Sequence, residues 1–334
     1  MKFGPVPLDE AEGAILAHSL NTEDLRLRKG LQLGSEHLKR LQAAGLNEVI
    51  VARLEPGDLS ENEAAAAFAT GLTADHIDTT DAFTGRVNLV ARSAGLIRVS
   101  TESIDAANSV DEAITLATLP DLTRVAPDQL LATLKIIPYG VSGAKVDAAL
   151  QALGSGAIRL QPFAQGSARL VLTRTEGFKE TLLSKGAAAV EARLQSLGWQ
   201  LTDVVVVPHD AAALAARLKP DLDMTLILAA SATSDRGDVT PRAIELAGGT
   251  VDRVGMPVDP GNLLVMGKLR EMPVLGLPGC ARSPALNGAD WVLERLAAGL
   301  SISGADIARM GVGGLLKEMP ERPHSRLIGR ADDQ

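Results

Sequence analysis

The chain has 334 residues, a formal net charge of −8 at pH 7, and few aromatic residues: five Phe, two Trp and one Tyr. The negative charge argues against a general nucleic-acid binder, and the scarcity of aromatic rings argues against a protein that stacks bases. The single cysteine excludes a disulfide framework, a four-cysteine zinc site and a self-contained iron–sulfur cluster. No run of about 18 apolar residues occurs, and the acidic N-terminus lacks the apolar core of a signal peptide. We therefore expect a cytoplasmic protein with no membrane or nucleic-acid partner.

The first half of the chain mixes short helices with short strands. Caps and apolar spacing predict helices over Ser35–Ala44, from Ser60 onward, and over Ser142–Leu153. Short apolar runs predict strands, which are Glu48–Arg53, Arg86–Ala91, Gly95–Ser100, Ile114–Leu119 and Gln129–Pro138. This order predicts a mixed α+β domain over residues 1–160, and Gly154-Ser155-Gly156 indicates a hinge near its end.

The second half alternates strands and helices with short connections. The predicted strands are Arg169–Thr173, Val204–Val207, Met224–Ala230, Thr250–Gly255, Leu263–Leu269 and Pro273–Leu277. The predicted helices are Lys179–Leu197, Asp210–Leu218, Pro241–Ala247 and Ser283–Leu300. The β-branched run Val204–Val207 is typical of a strand covered on both faces. The alternation predicts a three-layer α/β/α domain with a mostly parallel sheet over 167–305, followed by a C-terminal tail over 306–334.

Ligands of open α/β sheets bind beyond the carboxyl ends of the strands, where three loops of unusual composition are expected. The first loop carries hydroxyl side chains and then charged ones, in the order Ser231, Thr233, Ser234, Asp235, Arg236 and Asp238. Thr240 and Pro241 predict the N-cap and first residue of the next helix, whose N–H groups suit a phosphate. Asp238 beside them is suited to a divalent cation. The alternative is a polar loop whose Asp and Arg side chains pair with each other.

The second loop, Pro257–Asn262, presents Asp259, Gly261 and Asn262 in a turn stiffened by proline. A purely structural turn is the alternative interpretation of this loop. His209 precedes a helix start and is predicted to be structural.

The third loop, Gly276–Pro284, leads into the last predicted helix. Gly279 permits close approach of the backbone to a ligand, and the Arg282 guanidinium is suited to a phosphate. Ser283 is the predicted N-cap of the helix. A plain strand-to-helix turn is the alternative, and Cys280 is predicted to be a small buried residue rather than a nucleophile.

Together the three loops resemble the molybdopterin-binding domain shared by molybdopterin molybdotransferases, molybdopterin adenylyltransferases and gephyrin. The resemblance covers about 167–300, and the matching segments are Ser231–Asp238, Asp259–Asn262, Met266–Lys268 and Leu277–Ser283. The run Arg236–Pro241 is close to the Arg-Asp-Val-Thr-Pro of the adenylyltransferase branch. The first half is similar to the first domain of a bacterial subgroup that is sometimes fused to a molybdenum cofactor nucleotidyltransferase, through Ala14–His18, Phe83–Leu89 and Leu134–Tyr139.

The chain departs from the family pattern at several positions. Ala230 and Ser231 replace glycines, Asn262 replaces a lysine, and Cys280-Ala281 replaces Asn-Pro. The acidic residues that family enzymes place after the first strand are reduced to Glu176. These departures bear on catalytic transfer more than on binding of pterin and phosphate.

The resemblance implies a molybdopterin-binding protein of molybdenum cofactor biosynthesis, with molybdotransferase-like insertion of molybdate assisted by Mg²⁺. It implies Asp238 as the catalytic residue and, with Asp259, as a ligand of Mg²⁺. The implied molybdopterin-binding residues are Ser231, Thr233, Ser234, Asp235, Arg236, Thr240, Asp259, Gly261, Asn262, Gly279, Cys280, Arg282 and Ser283. The ligand's phosphate is expected near the helix starts at Thr240 and Ser283, and a homo-oligomer is expected because family members are commonly dimers or trimers.

Two other functions remain open at this point. The chain is alternatively a non-catalytic carrier or sensor that hands molybdopterin to a nucleotidyltransferase or an apo-molybdoenzyme. A third interpretation is an unrelated α/β enzyme that binds phosphate. Turnover that depends on molybdate and ATP would distinguish an enzyme from a carrier, which binds its ligand stoichiometrically.

Overall fold

Contacts within the chain define two units, Met1–Pro162 (unit 1) and Phe163–Gln334 (unit 2). The computed structural model describes residues 1–21, 26–259 and 261–316. Residues 317–334 of the predicted tail lie outside the described residues. Within the described ranges, no helix has the length and apolar character needed to cross a membrane.

Unit 1 contains short strands and four helices among its described residues. Its strands are Lys2–Pro7 (β1), Ile15–Leu16 (β2), Leu20–Asn21 (β3), Arg26–Leu27 (β4), Glu48–Arg53 (β5), Asp58–Ser60 (β6), Ile77–Thr79 (β7), Arg86–Ala91 (β8), Gly95–Val99 (β9), Ile114–Thr118 (β10), Arg124–Val125 (β11), Leu130–Ile136 (β12), Gly140–Ser142 (β13) and Ile158–Pro162 (β14). Its helices are Ser35–Ala43 (α1), Glu61–Ala69 (α2), Thr101–Asn108 (α3) and Gly143–Leu153 (α4).

The largest sheet of unit 1 is antiparallel, with the strand order β10-β12-β8-β7. Helix α2 packs on it through Phe68, which is fully buried. The predicted capping box of α2 is confirmed, since Ser60 accepts a hydrogen bond from the Glu63 N–H and Glu63 accepts one from the Ser60 N–H. A second core around Leu16 and Leu41 joins α1 to the sheet β1-β5-β2.

Unit 2 alternates strands and helices, as the sequence predicts. Its strands are Gly166–Arg174 (β15), Trp199–Pro208 (β16), Met224–Leu228 (β17), Thr250–Met256 (β18), Asn262–Leu269 (β19) and Met272–Gly276 (β20). Its helices are Glu180–Gln195 (α5), Ala211–Ala215 (α6), Val239–Leu246 (α7), Gly288–Ala297 (α8) and Gly304–Ala308 (α9).

The six strands of unit 2 form one mixed sheet in the order β16-β15-β17-β20-β19-β18. Strands β16, β15, β17 and β20 pair in parallel, and β19 pairs antiparallel with both β20 and β18. Strand β18 therefore runs in the common direction, and only β19 is reversed within this sheet. The carboxyl ends of the parallel strands meet at one edge, which we call the carboxyl edge.

Alternate residues of the strands enter two different cores. Leu170 and Leu172 belong to a core that also contains apolar residues of α5 and α8. Val171 between them belongs to a second core with residues of α6 and α7, such as Leu214 and Ile244. The helices of the crossover connections thus supply the apolar surface that each side of the sheet requires.

The prediction that Val204–Val207 is covered on both faces is wrong. Strand β16 lies at the end of the sheet, where Val204 is 47% exposed and Val206 is 40% exposed. Val207 alternates with them and is buried. A continuous apolar run can therefore form an edge strand that is only half covered.

Candidate functional site

The three predicted loops lie at the carboxyl edge. The first follows β17, the third follows β20, and the second joins β18 to the reversed strand β19. Strands β17, β20, β19 and β18 are consecutive neighbours in the sheet. The topology therefore places the loops side by side, at the position where open α/β sheets bind their ligands.

The helix after the first loop begins at Val239, and its N-cap is Asp238 rather than the predicted Thr240. Asp238 accepts hydrogen bonds from the Val239 N–H at 2.7 Å and the Ser234 N–H at 3.2 Å. Thr240 is buried instead, and a Cβ placed on Gly276 would lie 2.8 Å from its methyl group. A carboxylate already occupies this helix start, which makes it a poor place for an anionic ligand.

The other side chains of the first loop are distributed around this cap. Asp235 accepts a hydrogen bond from the Gly237 N–H at 2.7 Å, which tightens the turn. Arg236 donates to the Val251 carbonyl of strand β18 at 3.1 Å. Ser231 and Ser234 are exposed, whereas Thr233 is buried.

The third loop forms a short 3₁₀ turn over Gly279–Arg282, and Ser283 follows it. The last long helix begins at Gly288 with Asn287 as its N-cap, so the prediction of Ser283 as the cap is wrong. The prediction of a buried Cys280 is also wrong, because the thiol residue is exposed and its neighbour Ala281 faces the core. Gly279 is exposed beside Cys280.

Arg193 of helix α5 explains the late start of α8. Its guanidinium donates to the carbonyls of Ala281 at 2.9 Å, Ser283 at 2.6 Å and Ala285 at 3.0 Å. It also pairs with the Asp290 carboxylate at 2.7 Å. Because these carbonyls accept hydrogen bonds from Arg193, they stay in the turn and do not accept hydrogen bonds from the N–H groups of a longer helix. No local sequence pattern indicates this contact, which joins residues about 90 positions apart.

Arg282 is the side chain at the carboxyl edge best suited to bind an anion. Its Nη2 donates to the Ala229 carbonyl at 2.7 Å, and its guanidinium carbon lies 5.9 Å from the centre of the Phe178 ring. Burial lowers its pKa from the usual value, and no carboxylate among the described residues pairs with it. A guanidinium has five N–H groups, and one hydrogen bond from Arg282 to a described residue is to the Ala229 carbonyl.

A hydrogen-bond chain links the carboxyl ends of three parallel strands. His209 Nδ1 lies 2.8 Å from Thr173 Oγ1, which accepts a hydrogen bond from the Ala230 N–H at 2.8 Å. Thr173 is fully buried at the end of β15. These bonds fix Ala230 next to the carbonyl that holds Arg282. Nothing local in the sequence indicated that Thr173 and His209 would meet.

The second loop contains a strained residue and a buried amide. Asp259 has a φ of 44°, in the left-handed region, and its N–H donates to the Gly314 carbonyl at 2.6 Å. Gly261 is exposed, and Asn262 is only 4% exposed. Neither polar atom of the Asn262 side chain has a hydrogen-bond partner among the described residues.

The binding of Mg²⁺ by Asp238 and Asp259 stays a prediction. Within the described ranges, no group of three or more His, Cys, Asp or Glu side chains is arranged to hold a metal ion. Both oxygens of Asp238 accept backbone hydrogen bonds, so its carboxylate already has a structural role. The residues present do not form a resident metal cage, and we derive no chemical step through a metal.

Comparison with known proteins gives one family model and several solved structures. The model described as a domain of unknown function (DUF8806) matches residues 5–53. No curated protein matches the chain. Similar solved structures include molybdenum cofactor and molybdopterin biosynthesis proteins.

Two of these structures illustrate the range of the likeness. A molybdopterin biosynthesis protein from Mycobacterium abscessus is 18% identical, with a TM-score of 0.29, and the match covers 40% of this chain and 92% of that chain. The molybdopterin biosynthesis MoeA protein from Pyrococcus horikoshii is 14% identical, with a TM-score of 0.30, and the match covers 89% of this chain and 76% of that chain. At TM-scores this low, function has to be argued from the residues of the chain itself.

Proposed function

We propose that unit 2 is a three-layer α/β/α domain that binds molybdopterin at its carboxyl edge, and that the chain acts in molybdenum cofactor biosynthesis. The observation that carries the proposal is the half-buried Arg282 guanidinium, which lacks a carboxylate partner among the described residues. A desolvated cation of this kind is stabilised by an anionic ligand. Arg282 lies in the third of the loop motifs that resemble the molybdopterin-binding family, and its partner Ala229 lies just before Ser231, where the first begins.

In this proposal Arg282 binds the phosphate of molybdopterin in place of the two helix starts. Those starts are already capped, by Asp238 at α7 and by Asn287 at α8. Phe178 shields the guanidinium from water on one side, which strengthens a charge-assisted hydrogen bond to phosphate. The hydroxyl groups of Ser231, Thr233 and Ser234 bind the pterin or molybdate oxygens.

The proposed reaction is molybdotransferase-like insertion of molybdate into the bound molybdopterin, with Asp238 orienting the group that is transferred. Mg²⁺, when bound, would neutralise phosphate or molybdate charge. A non-catalytic carrier that hands the cofactor to a nucleotidyltransferase or an apo-molybdoenzyme is the second candidate. It is favoured by the two backbone hydrogen bonds to Asp238, which give that carboxylate a structural role without any chemistry.

Binding of purified molybdopterin, measured with and without molybdate and Mg²⁺, tests the proposal. We expect Arg282→Ala to raise the Kd at least tenfold, because a hydrogen bond to a charged group contributes about 1.5–3 kcal/mol. Arg217→Ala is the matched control, since this exposed arginine lies outside the three loops, and its Kd should change less than about threefold. A wild-type chain that binds no molybdopterin would overturn the proposal and favour another phosphate-binding function.

Substitution of Asp238 separates the enzyme from the carrier. Asp238→Asn keeps a side-chain oxygen for the Val239 N–H, whereas Asp238→Ala loses the cap and about 1 kcal/mol of unfolding free energy. If the chain is a transferase, Asp238→Asn abolishes molybdate-dependent turnover and stays folded, because it loses only the longer hydrogen bond from the Ser234 N–H. Stoichiometric binding by the wild type with no turnover identifies a carrier.

A further inference from the structure

Two buried carboxamides at the carboxyl edge of unit 2 carry polar atoms that have no hydrogen-bond partner among the described residues. Asn262 and Asn287 are each 4% exposed. Both polar atoms of Asn262 and the Nδ2 of Asn287 are unpaired among the described residues. The Oδ1 of Asn287 is already used, because it accepts a hydrogen bond from the Ala289 N–H at 2.9 Å. We call these two residues the asparagine pair.

The members of the asparagine pair lie on neighbouring elements. Asn262 begins β19 and is the strand partner of Met256, the last residue of β18. The residue after Asn287 is Gly288, where an added Cβ would lie 2.7 Å from the Met256 sulfur. Met256 therefore lies beside Asn262 in the β18–β19 hairpin and beside the residue that follows Asn287 at the start of α8.

Unpaired buried amides are rare because each one loses its hydrogen bonds to water without replacement. Two on adjacent elements, at the edge where sheets of this kind bind ligands, call for a functional explanation. An anion does not satisfy them, since the Oδ1 of Asn262 is an acceptor and would repel it. The unpaired atoms offer donors and one acceptor, which match a neutral group that has a carbonyl beside an N–H.

We propose that the asparagine pair binds the donor–acceptor edge of a neutral heterocycle, such as the pyrimidinone ring of a pterin. The inference rests on the proposed function, because it assigns the ring and the phosphate of one ligand to different parts of the edge. The Ala229 carbonyl, which accepts a hydrogen bond from Arg282, follows β17. Asn262 begins β19, which is the second strand along from β17 in the sheet. At about 4.8 Å per strand, this separation is about 10 Å, which suits a pterin with a phosphorylated side chain.

Binding has to open the packing around the hairpin, because the unpaired atoms are covered in the free chain. The hydrogen bond from the Asp259 N–H to the Gly314 carbonyl, at 2.6 Å, ties the hairpin to the segment after α9. This segment also packs on the hairpin at Pro257, where an added Cβ on Gly314 would lie 2.6 Å from the carbonyl oxygen. These two contacts are part of the packing that covers the hairpin in the free chain.

The variants Asn262→Leu and Asn287→Asp test the inference with pterin, which has the ring but no phosphate, and with inorganic phosphate. Asn262→Leu removes an unpaired amide, so the melting temperature of the free protein should stay the same or rise. Asn287→Asp keeps the oxygen that caps α8 and removes the unpaired donor. Each variant should raise the Kd for pterin at least tenfold and leave the Kd for phosphate within about twofold.

The readouts distinguish failure of the inference from failure of the proposed function. Both tryptophans, Trp199 and Trp291, lie in unit 2, so tryptophan fluorescence follows the melting of that unit. A lower melting temperature for Asn262→Leu, or unchanged pterin binding, overturns the inference. A wild type that binds phosphate but no pterin also overturns it, whereas loss of phosphate binding in Arg282→Ala concerns the proposed phosphate site alone.

Asn108 in unit 1 provides the matched control. Its side chain is fully used, because Nδ2 donates to the Leu116 carbonyl at 2.9 Å and Oδ1 accepts from the Leu116 N–H at 2.8 Å. Asn108→Leu should lower the melting temperature of unit 1, measured by calorimetry. The opposite responses of Asn108→Leu and Asn262→Leu would support a binding role for Asn262.

Discussion

An arginine lies at each of the two edges of the unit 2 sheet, and the neighbours of the two guanidinium groups differ in charge. At the edge formed by the amino ends of β15 and β17, which we call the amino edge, Arg169 pairs with Asp203 at 2.7 Å and with Asp221 at 2.9 Å. These carboxylates raise the pKa of Arg169. At the carboxyl edge, Arg282 has a carbonyl and an aromatic ring as neighbours, and burial lowers its pKa.

The polar groups of the amino edge therefore stabilise the fold, whereas those of the carboxyl edge are suited to a ligand. The polar side chains of the amino edge form ion pairs and hydrogen bonds with one another, as the hydrogen bonds from Ser167 to Asp223 also illustrate. Among the described residues, the carboxyl edge keeps a cation without a carboxylate partner and two amides with unpaired polar atoms. One atom at the amino edge breaks the rule, since the buried Trp199 Nε1 has no partner among the described residues. Incomplete polar groups are expected where a protein gives up stability for function.

The largest expected effect is on the amino edge. Arg169→Ala should lower the unfolding free energy of unit 2 by about 2–3 kcal/mol, because it leaves two carboxylates without their cation. The loss falls below that of a fully buried pair, since the side chains of Asp203 and Asp221 are 40% and 52% exposed. Urea denaturation followed by tryptophan fluorescence measures it.

Ligand binding by Arg169→Ala sharpens the comparison. We expect its Kd for inorganic phosphate to match that of the wild type, because Arg169 is at the opposite edge from Arg282. Arg92→Ala in unit 1 is the control for loss of an exposed pair, since Arg92 and Asp78 are 60% and 59% exposed, and it should leave the unfolding free energy nearly unchanged. Weaker phosphate binding by a folded Arg169→Ala would contradict the division between the edges.

The second prediction concerns the hydrogen-bond chain at the carboxyl edge. Thr173→Val preserves shape but leaves the Ala230 N–H and His209 Nδ1 unpaired, so we expect a loss of about 1–2 kcal/mol of unfolding free energy. Phosphate binding should also weaken, since Ala229 holds Arg282. Thr115→Val is the control, because this exposed hydroxyl bonds only to the Lys135 carbonyl, and it should cost less than about 0.5 kcal/mol. Unchanged stability of Thr173→Val would show that these bonds contribute nothing.

The strand and helix order of unit 2 was predictable because each element is long enough to carry its own apolar period. Helix α5 and strand β17 extend over nearly the predicted residues, within the usual uncertainty at element ends. The exposure of Val204 was not predictable, because position in the sheet depends on which strands pair. Periodicity in the sequence identifies apolar residues, but it does not show whether a neighbouring element covers them.

The site was predictable as a set of loops but not as a set of contacts. Both Asp238 and Thr240 are residue types that favour N-caps, but Asp238 caps the helix and Thr240 is buried next to Gly276. The start of α8 depends on Arg193, which is far away in the sequence. Interactions between distant residues also bring Thr173 to His209, and local patterns carry no information about them.

The smallest expected effect is the acid response of the amino edge. Hydrogen bonds from Arg169 hold the pKa of Asp221 below its usual value. The stability that this carboxylate contributes is therefore present above about pH 4 and is lost as the pH falls through the lower pKa of the folded state. Removing Arg169 removes this depression, so the unfolding free energy of Arg169→Ala should fall less steeply below about pH 4 than that of the wild type.

Arg282→Ala completes the comparison between the edges. Arg282 has no carboxylate partner among the described residues, so its removal should leave the acid response of unit 2 unchanged. Urea denaturation followed by tryptophan fluorescence, at several pH values between about 7 and 2.5, measures both variants. A flattened acid response in Arg282→Ala would mean that a carboxylate depends on this arginine after all, and the carboxyl edge would then be as complete electrostatically as the amino edge.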